Sequence, residues 1–108
     1  MNDTLQRLYQ VVIDRKMNPQ EGSYTCYLFS QGLDKICKKV GEESAETIIA
    51  AKNGIQDETV GEICDVIYHM MVLMAQQEIP LDAVLAELDR RSQKIGNLKQ
   101  MKQTDRET

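Results

Sequence analysis

Apolar positions recur at helical spacing along almost the whole chain. From Asp3 to Met17, Leu5, Leu8, Tyr9, Val12 and Ile13 fall three and four residues apart, the stripe of an amphipathic helix. Asn18-Pro19-Gln20-Glu21-Gly22 breaks that stripe. Ser23 can cap a short helix, Tyr24 to Ser30, which Gln31-Gly32 ends. A long helical stretch follows from Leu33 to Lys52, with Leu33, Ile36, Cys37 and Val40 as its apolar stripe and Asn53-Gly54 as its stop. Asp57 or Thr59 opens another through Gln77, and Pro80 starts a last helix with Leu81, Val84, Leu85 and Leu88. No stretch alternates with period two for long enough to make a strand. The expected fold is all-α, a helical bundle of four to five helices whose short links favour antiparallel neighbours. Residues 1–95 are expected to form one domain, and 96–108 a polar, mobile C-terminal tail.

The fourth stretch is unusual. From Val60 to Ala75, twelve of sixteen residues are apolar, and the exceptions are Gly61, Glu62, Asp65 and His69. Val60, Cys64, Ile67, Met71 and Met74 form a coiled-coil-like seam, and Val66, Met70 and Leu73 make the opposite side apolar too. Such a helix belongs at the centre of a bundle. It also offers more apolar surface than one hairpin can cover, so homo-oligomerisation is expected to complete the core of this 108-residue chain.

A formal net charge of −4 argues against a generic nucleic-acid or anionic-membrane binder, since both need a basic footprint. The longest apolar run, Met70 to Ala75, is far short of the roughly 18 residues of a membrane span. The N-terminus lacks the cationic start and apolar run of a signal peptide. Cys26, Cys37 and Cys64 form no C-x-x-C pair and each falls in an apolar pattern, so reduced core thiols in a cytoplasmic protein are expected.

Candidate chemistry lies on the two long central stretches. Glu42, Glu43 and Glu46 span roughly 100° of one helix face, opposite the Leu33-Ile36-Cys37-Val40 stripe. Glu62 and Asp65, three apart, share a face of the next helix. An antiparallel hairpin joined near Gly54 could bring five carboxylates to one point. Clustered glutamates also suit a solvated face, and Glu62 and Asp65 suit structural salt bridges. One acidic set on each arm of a hairpin favours a metal site: buried carboxylates are costly and raise one another's pKa. A hard divalent cation removes both penalties, Mg²⁺ foremost, with Mn²⁺ as a substitute. Lys35 and Lys39 share the Glu42/Glu46 side and could meet phosphates there or stay solvated. His69, one turn beyond Asp65, suits a hydrogen-bonded core histidine better than a catalyst. Ser23, Tyr24 and Thr25 could be no more than a helix start.

The run Glu42-Glu43-Ser44-Ala45-Glu46, then fifteen residues, then Glu62-Ile63-Cys64-Asp65 resembles the signature of the all-α nucleoside triphosphate pyrophosphohydrolases of the MazG type. Ser23-Tyr24-Thr25, Leu28, Gly32, Lys35-Ile36, Lys39-Val40-Gly41, Tyr68-His69, Glu87-Leu88 and Arg90-Arg91 narrow the likeness to the phosphoribosyl-ATP pyrophosphatase family, over roughly residues 5 to 91. Ser44 stands where the family pattern has alanine. The resemblance implies Mg²⁺-dependent hydrolysis of phosphoribosyl-ATP to phosphoribosyl-AMP and pyrophosphate in histidine biosynthesis, by homodimers or larger assemblies. It further implies Glu42, Glu43, Glu46, Glu62 and Asp65 as metal and catalytic residues. Ser23, Tyr24, Thr25, Lys35, Lys39, His69 and Arg91 are implied as substrate contacts.

Three other readings remain open at this level. A sister enzyme could hydrolyse dUTP, dCTP or noncanonical nucleotides with the same acids. A non-enzymatic helical interaction module would use the Met and Val seam and leave the acids solvated. A divalent-ion buffer or di-iron bundle would want the Glu-x-x-His pairs of that class, whereas Glu62 is followed three residues later by Asp65.

Overall fold

A computed structural model describes residues 3–94, 96 and 99–107. They form α1 (Thr4–Met17), α2 (Tyr24–Gln31), α3 (Leu33–Asn53), α4 (Gln56–Gln76), α5 (Leu81–Ser92) and a short α6 (Gln103–Glu107). No strand occurs among the described residues, and none of their helices is long and apolar enough to cross a membrane.

Local chemistry sets most of the boundaries. Ser23 caps α2 by accepting from the Cys26 backbone N–H at 3.2 Å. Gly54, at φ 73°, ends α3 in the left-handed region, its N–H shared between the Ala50 and Ala51 carbonyls. Helix α4 ends the same way without a glycine: Glu78 takes φ 58°, and the Ile79 N–H returns to the Met74 carbonyl at 2.9 Å. The Tyr9 hydroxyl holds that turn by donating to the Ile79 carbonyl at 2.6 Å. Lys16 donates to the Ala75 carbonyl at 2.8 Å, a cation at a helix C-terminus where the dipole favours one.

The core sits at one end of the α3–α4 hairpin. Tyr9 and Val12 of α1, Leu28 of α2, Ile36 of α3, and Met71, Val72 and Ala75 of α4 bury their side chains together, with Leu81 at the start of α5. Helix α4 is central, touching α1, α2 and α3. The other half of the hairpin projects beyond this core, with Ile48, Ile49, Ile55 and Val60 exposed. The radius of gyration is accordingly 16.1 Å, against about 13 Å for a compact chain of this length.

Several expectations change in the folded chain. The seam along α4 divides: Met71 is buried and Met74 packs on the core, while Val60, Cys64 and Ile67 are exposed. Apart from α3, it is α1 and α2 that cover α4, and they reach its C-terminal half. The cysteines are free but are not core thiols: Cys26 is half-buried, and Cys37 and Cys64 are exposed. Of the stripe on α3, Ile36 alone is fully buried and Leu33 is exposed. Ile36 points with Glu43 and Ala50, seven residues apart, so the stripe and the acids are not on opposite faces. Helix α6 was unexpected; five residues are too few for periodicity to show, and the Asp105 carboxylate accepts from the Lys102 N–H at 2.8 Å to start it. The expected polar tail lies partly on residues 97, 98 and 108, outside the described residues.

Ile36→Ala, at a site with 0% exposure, is expected to destabilise the protein by about 2–5 kcal/mol. Cys37→Ser and Cys64→Ser are expected to stay within about 0.5 kcal/mol of wild type. Urea unfolding of the three variants checks both; a large loss in either cysteine variant would contradict the exposure.

Candidate active site

Helix packing brings one face of α3 against one face of α4, and the acids meet there. Glu43 lies in line with Ile36 and Ala50, the residues of α3 that are buried with it. Glu62, Asp65 and His69 follow at three and four residues along α4, which is one helix face. Glu43, Glu62 and Asp65 each offer a carboxylate oxygen, all within 4.8 Å of one another. Glu43 is 7% exposed. Its Oε2 and the Oε2 of Glu62 are shielded from solvent and have no hydrogen-bond partner. Burial first, then the charge of Glu46 and a hydrogen bond with it, then Glu43 and Asp65, push the Glu62 carboxyl above its ordinary value. Four acids therefore act on one another, from both helices.

Glu42 stands outside this group. One position further round the helix, it faces Lys39 at 3.5 Å and Lys38 at 3.9 Å and is partly exposed. Lys39 also lies 3.5 Å from Glu43 Oε1. Burial pulls the Lys39 ammonium down, but Tyr24, Glu42 and Glu43 together outweigh it and hold its pKa above the ordinary value. Lys39 is thus one half-buried cation at the edge of a larger negative charge. Lys35 is half-buried one turn earlier on the same flank.

His69 is 4% exposed, and its hydrogen bonds fix its form. Nδ1 lies 2.7 Å from the Asp65 carbonyl, which can only accept, so Nδ1 carries the hydrogen. Nε2, 3.1 Å from the Tyr24 hydroxyl, accepts from it. His69 is a hydrogen-bonded core histidine that ties α2 to the acid-bearing turn of α4. Thr25 Oγ1 makes a short hydrogen bond with the Tyr68 hydroxyl. Ser23 is a helix cap, whereas Tyr24 and Thr25 reach across to α4.

The Tyr24 ring stacks on Tyr27 at 6.2 Å and on Tyr68 at 6.3 Å, with His69 edge-on at 5.8 Å. Tyr27 escaped notice in the sequence, although its spacing of three from Tyr24 puts both rings on one face of α2. Arg91 lies on α5, where its ion pair is with Glu87 at 2.9 Å; hydrogen bonds from Arg90 and Arg91 hold the Glu87 carboxyl well below the usual range. Among the described residues, no contact joins Arg91 to the acids of α3 and α4.

This donor set consists of oxygen atoms alone, with two of them buried and unpaired, so it can accept a hard divalent cation of the Mg²⁺ type. Thiol and imidazole ligands are missing from it, which disfavours zinc.

Residues 5–92 match the family described as phosphoribosyl-ATP pyrophosphohydrolase. Among individual proteins, the chain is 54% identical over 97 residues to a phosphoribosyl-ATP pyrophosphatase of Clostridium novyi, covering 90% of this chain and 88% of that one. It is 50% identical over 101 residues to a phosphoribosyl-ATP pyrophosphatase of Listeria welshimeri, covering 94% and 97%. It is also 52% identical over 92 residues to the histidine biosynthesis bifunctional protein HisIE of Caldanaerobacter subterraneus, covering 85% of this chain and 45% of that protein.

The raised Glu62 pKa has a consequence for stability without metal. A carboxyl whose pKa is raised on folding binds more protons folded than unfolded, so stability falls as pH rises from about 4.5, its ordinary value, through the raised one. Glu62→Gln removes that loss. In EDTA at pH 7 the variant is expected to melt at or above wild type, and the advantage is expected to disappear below about pH 4.5. Thermal melts across that range check it; a variant that melts well below wild type at pH 7 would mean the Glu62 carboxylate is structural.

Proposed function

From the membership of this chain in the phosphoribosyl-ATP pyrophosphohydrolase family, we propose that it hydrolyses phosphoribosyl-ATP to phosphoribosyl-AMP and pyrophosphate, a step of histidine biosynthesis, in the cytoplasm. The observation in the fold that supports this most is the Glu43-Glu62-Asp65 group with its two unpaired, buried oxygens. Such a group serves no structural purpose by itself, since neutral or apolar residues would be more stable there. With Glu46 beside it, it is the group we assign to Mg²⁺, or Mn²⁺ in its place. The cation would supply positive charge against the phosphates and the departing pyrophosphate.

The protein's own groups divide the remaining work. Lys39, held protonated beside Glu42 and Glu43, can bind a phosphate oxygen at the edge of the acidic group, with Lys35 one turn away. Water adds across the α–β phosphoanhydride, the bridging oxygen leaves with pyrophosphate, and the proton of the attacking water must go to a base. Glu46 is exposed and acts on Glu62 by charge and hydrogen bond, so we assign it to orienting that water and taking the proton. Tyr24 and His69 hold the Asp65 turn of α4 in position. Glu42 keeps Lys38 and Lys39 in place.

We also propose that the protein works as a homodimer or larger assembly. Val60, Ile63, Ile67 and Met70 are 51%, 44%, 39% and 44% exposed and lie on one side of α4. They face away from Glu62, Asp65 and His69. A continuous apolar row on the projecting part of a hairpin is the kind of surface that partners cover.

Three kinds of measurement test these readings. Pyrophosphate release from phosphoribosyl-ATP is expected to require Mg²⁺ and to exceed release from dUTP and dCTP. Glu46→Gln is expected to lower kcat about 10²- to 10⁴-fold. Mg²⁺ at a hundredfold excess over its Kd should stabilise wild type by about 2.7 kcal/mol, and less in Asp65→Asn. Equal or faster turnover of dCTP or dUTP would move the protein to a sister specificity, and a melt that ignores Mg²⁺ would remove the metal from the site. For assembly, sedimentation of wild type is expected to give a species larger than 12.3 kDa. Ile67→Asp, on the exposed row, should give a folded monomer by circular dichroism; an unchanged sedimentation coefficient would exclude this face as the interface.

A further inference from the structure

Along α2 and the loop before it lies an open groove of about 640 Å³, lined by Pro19, Gln20, Ser23, Tyr24, Tyr27 and Ser30 among others. Its size suits a small ligand, and its wall is aromatic. Tyr24 and Tyr27 are 46% and 45% exposed and stack on each other, with Tyr68 behind Tyr24. Tyr24 belongs to both places. Its ring lines the groove, and its hydroxyl donates to His69, the partner of the Asp65 carbonyl. Burial keeps the Tyr24 hydroxyl protonated, and Lys39, Glu43 and Glu42 lie close enough to act on it. A ligand with its phosphates at Lys39 and the acids would therefore carry its remaining parts toward Tyr24 and Tyr27.

Resting on the proposed hydrolysis, we infer that the Tyr24–Tyr27 wall is the base subsite, and that it selects an N1-substituted adenine over ordinary adenine by cation–π attraction. Substitution at N1 turns the six-membered ring of adenine into an amidinium that is positively charged near neutral pH. The adenine of ATP is neutral there. A tyrosine face attracts a cation stacked over it but has no comparable preference for a neutral ring. No carboxylate lines the groove among the described residues, so discrimination there falls to the rings. The wall thus reads the ring charge by which the base of phosphoribosyl-ATP differs from that of ATP.

The test compares 1-methyladenosine 5′-monophosphate with AMP, two probes with the same phosphate and different ring charge. Titration calorimetry of the full chain is expected to show tighter binding of the methylated probe by about 2- to 30-fold. Tyr27→Ala is expected to abolish that preference, and Tyr27→Phe to keep it. Tyr27 touches none of the acids, so Tyr27→Ala should raise KM for phosphoribosyl-ATP by a similar factor and leave kcat nearly unchanged. Equal binding of the two probes by wild type would overturn the inference. So would a preference that survives in Tyr27→Ala, since it would come from the acids' long-range field. If the preference is found and depends on Tyr27 but phosphoribosyl-ATP is not cleaved, the subsite stands and the proposed hydrolysis falls.

Discussion

Two carboxylate oxygens, Glu43 Oε2 and Glu62 Oε2, are kept from water without a partner, and the rest of the fold is arranged around that fact. Mutual repulsion of carboxylates on α3 and α4 pushes the two helices apart. What holds them is apolar contact at the opposite end of the hairpin, where Ile36, Met71 and Val72 close against α1 and α2. The acids lie where this core gives out. Nearer the core they would be starved of solvent; nearer Gly54 they would be solvated and would lose their influence on one another.

This position accounts for the part played by α2. The helix is eight residues long, too short to be stable alone. It is anchored by Leu28, which is fully buried, and by the Tyr24–His69 and Thr25–Tyr68 hydrogen bonds. These contacts fix the rotation of α4 about its axis, and so the direction of Glu62 and Asp65. The same helix leaves the outer face of Tyr27 to solvent. A single short element thereby joins the acidic group to an aromatic wall.

The projecting half of the hairpin follows from the same division. Besides α3, the described chain has α1 and α2 to lay against α4, and they cover the C-terminal turns. Val60, Ile63 and Ile67 are left over. Covering them requires surface that the described part of this chain does not contribute, and the arm that carries Glu62 and Asp65 is also the arm with the open apolar flank.

The helices were legible from periodicity and punctuation, because spacings of three and four, Ser23 before α2 and Gly54 after α3 act within a few residues of the chain. The acidic motif was equally plain as a set of residue types. Tertiary structure decided which members of it converge. Glu42 and Glu43 are neighbours in sequence, but a turn of about 100° between successive residues sends one to Lys38 and Lys39 and the other into the interface with α4. The same rotation put Cys37 outside while Ile36 went inside. The length of α1 and α2 decided where the α4 seam stops being core. His69 and Tyr24, 45 residues apart, could be joined only by folding. By itself, the sequence determined the elements and the chemistry available; side-chain direction and long-range contact, which no local spacing encodes, decided which of those residues form a site.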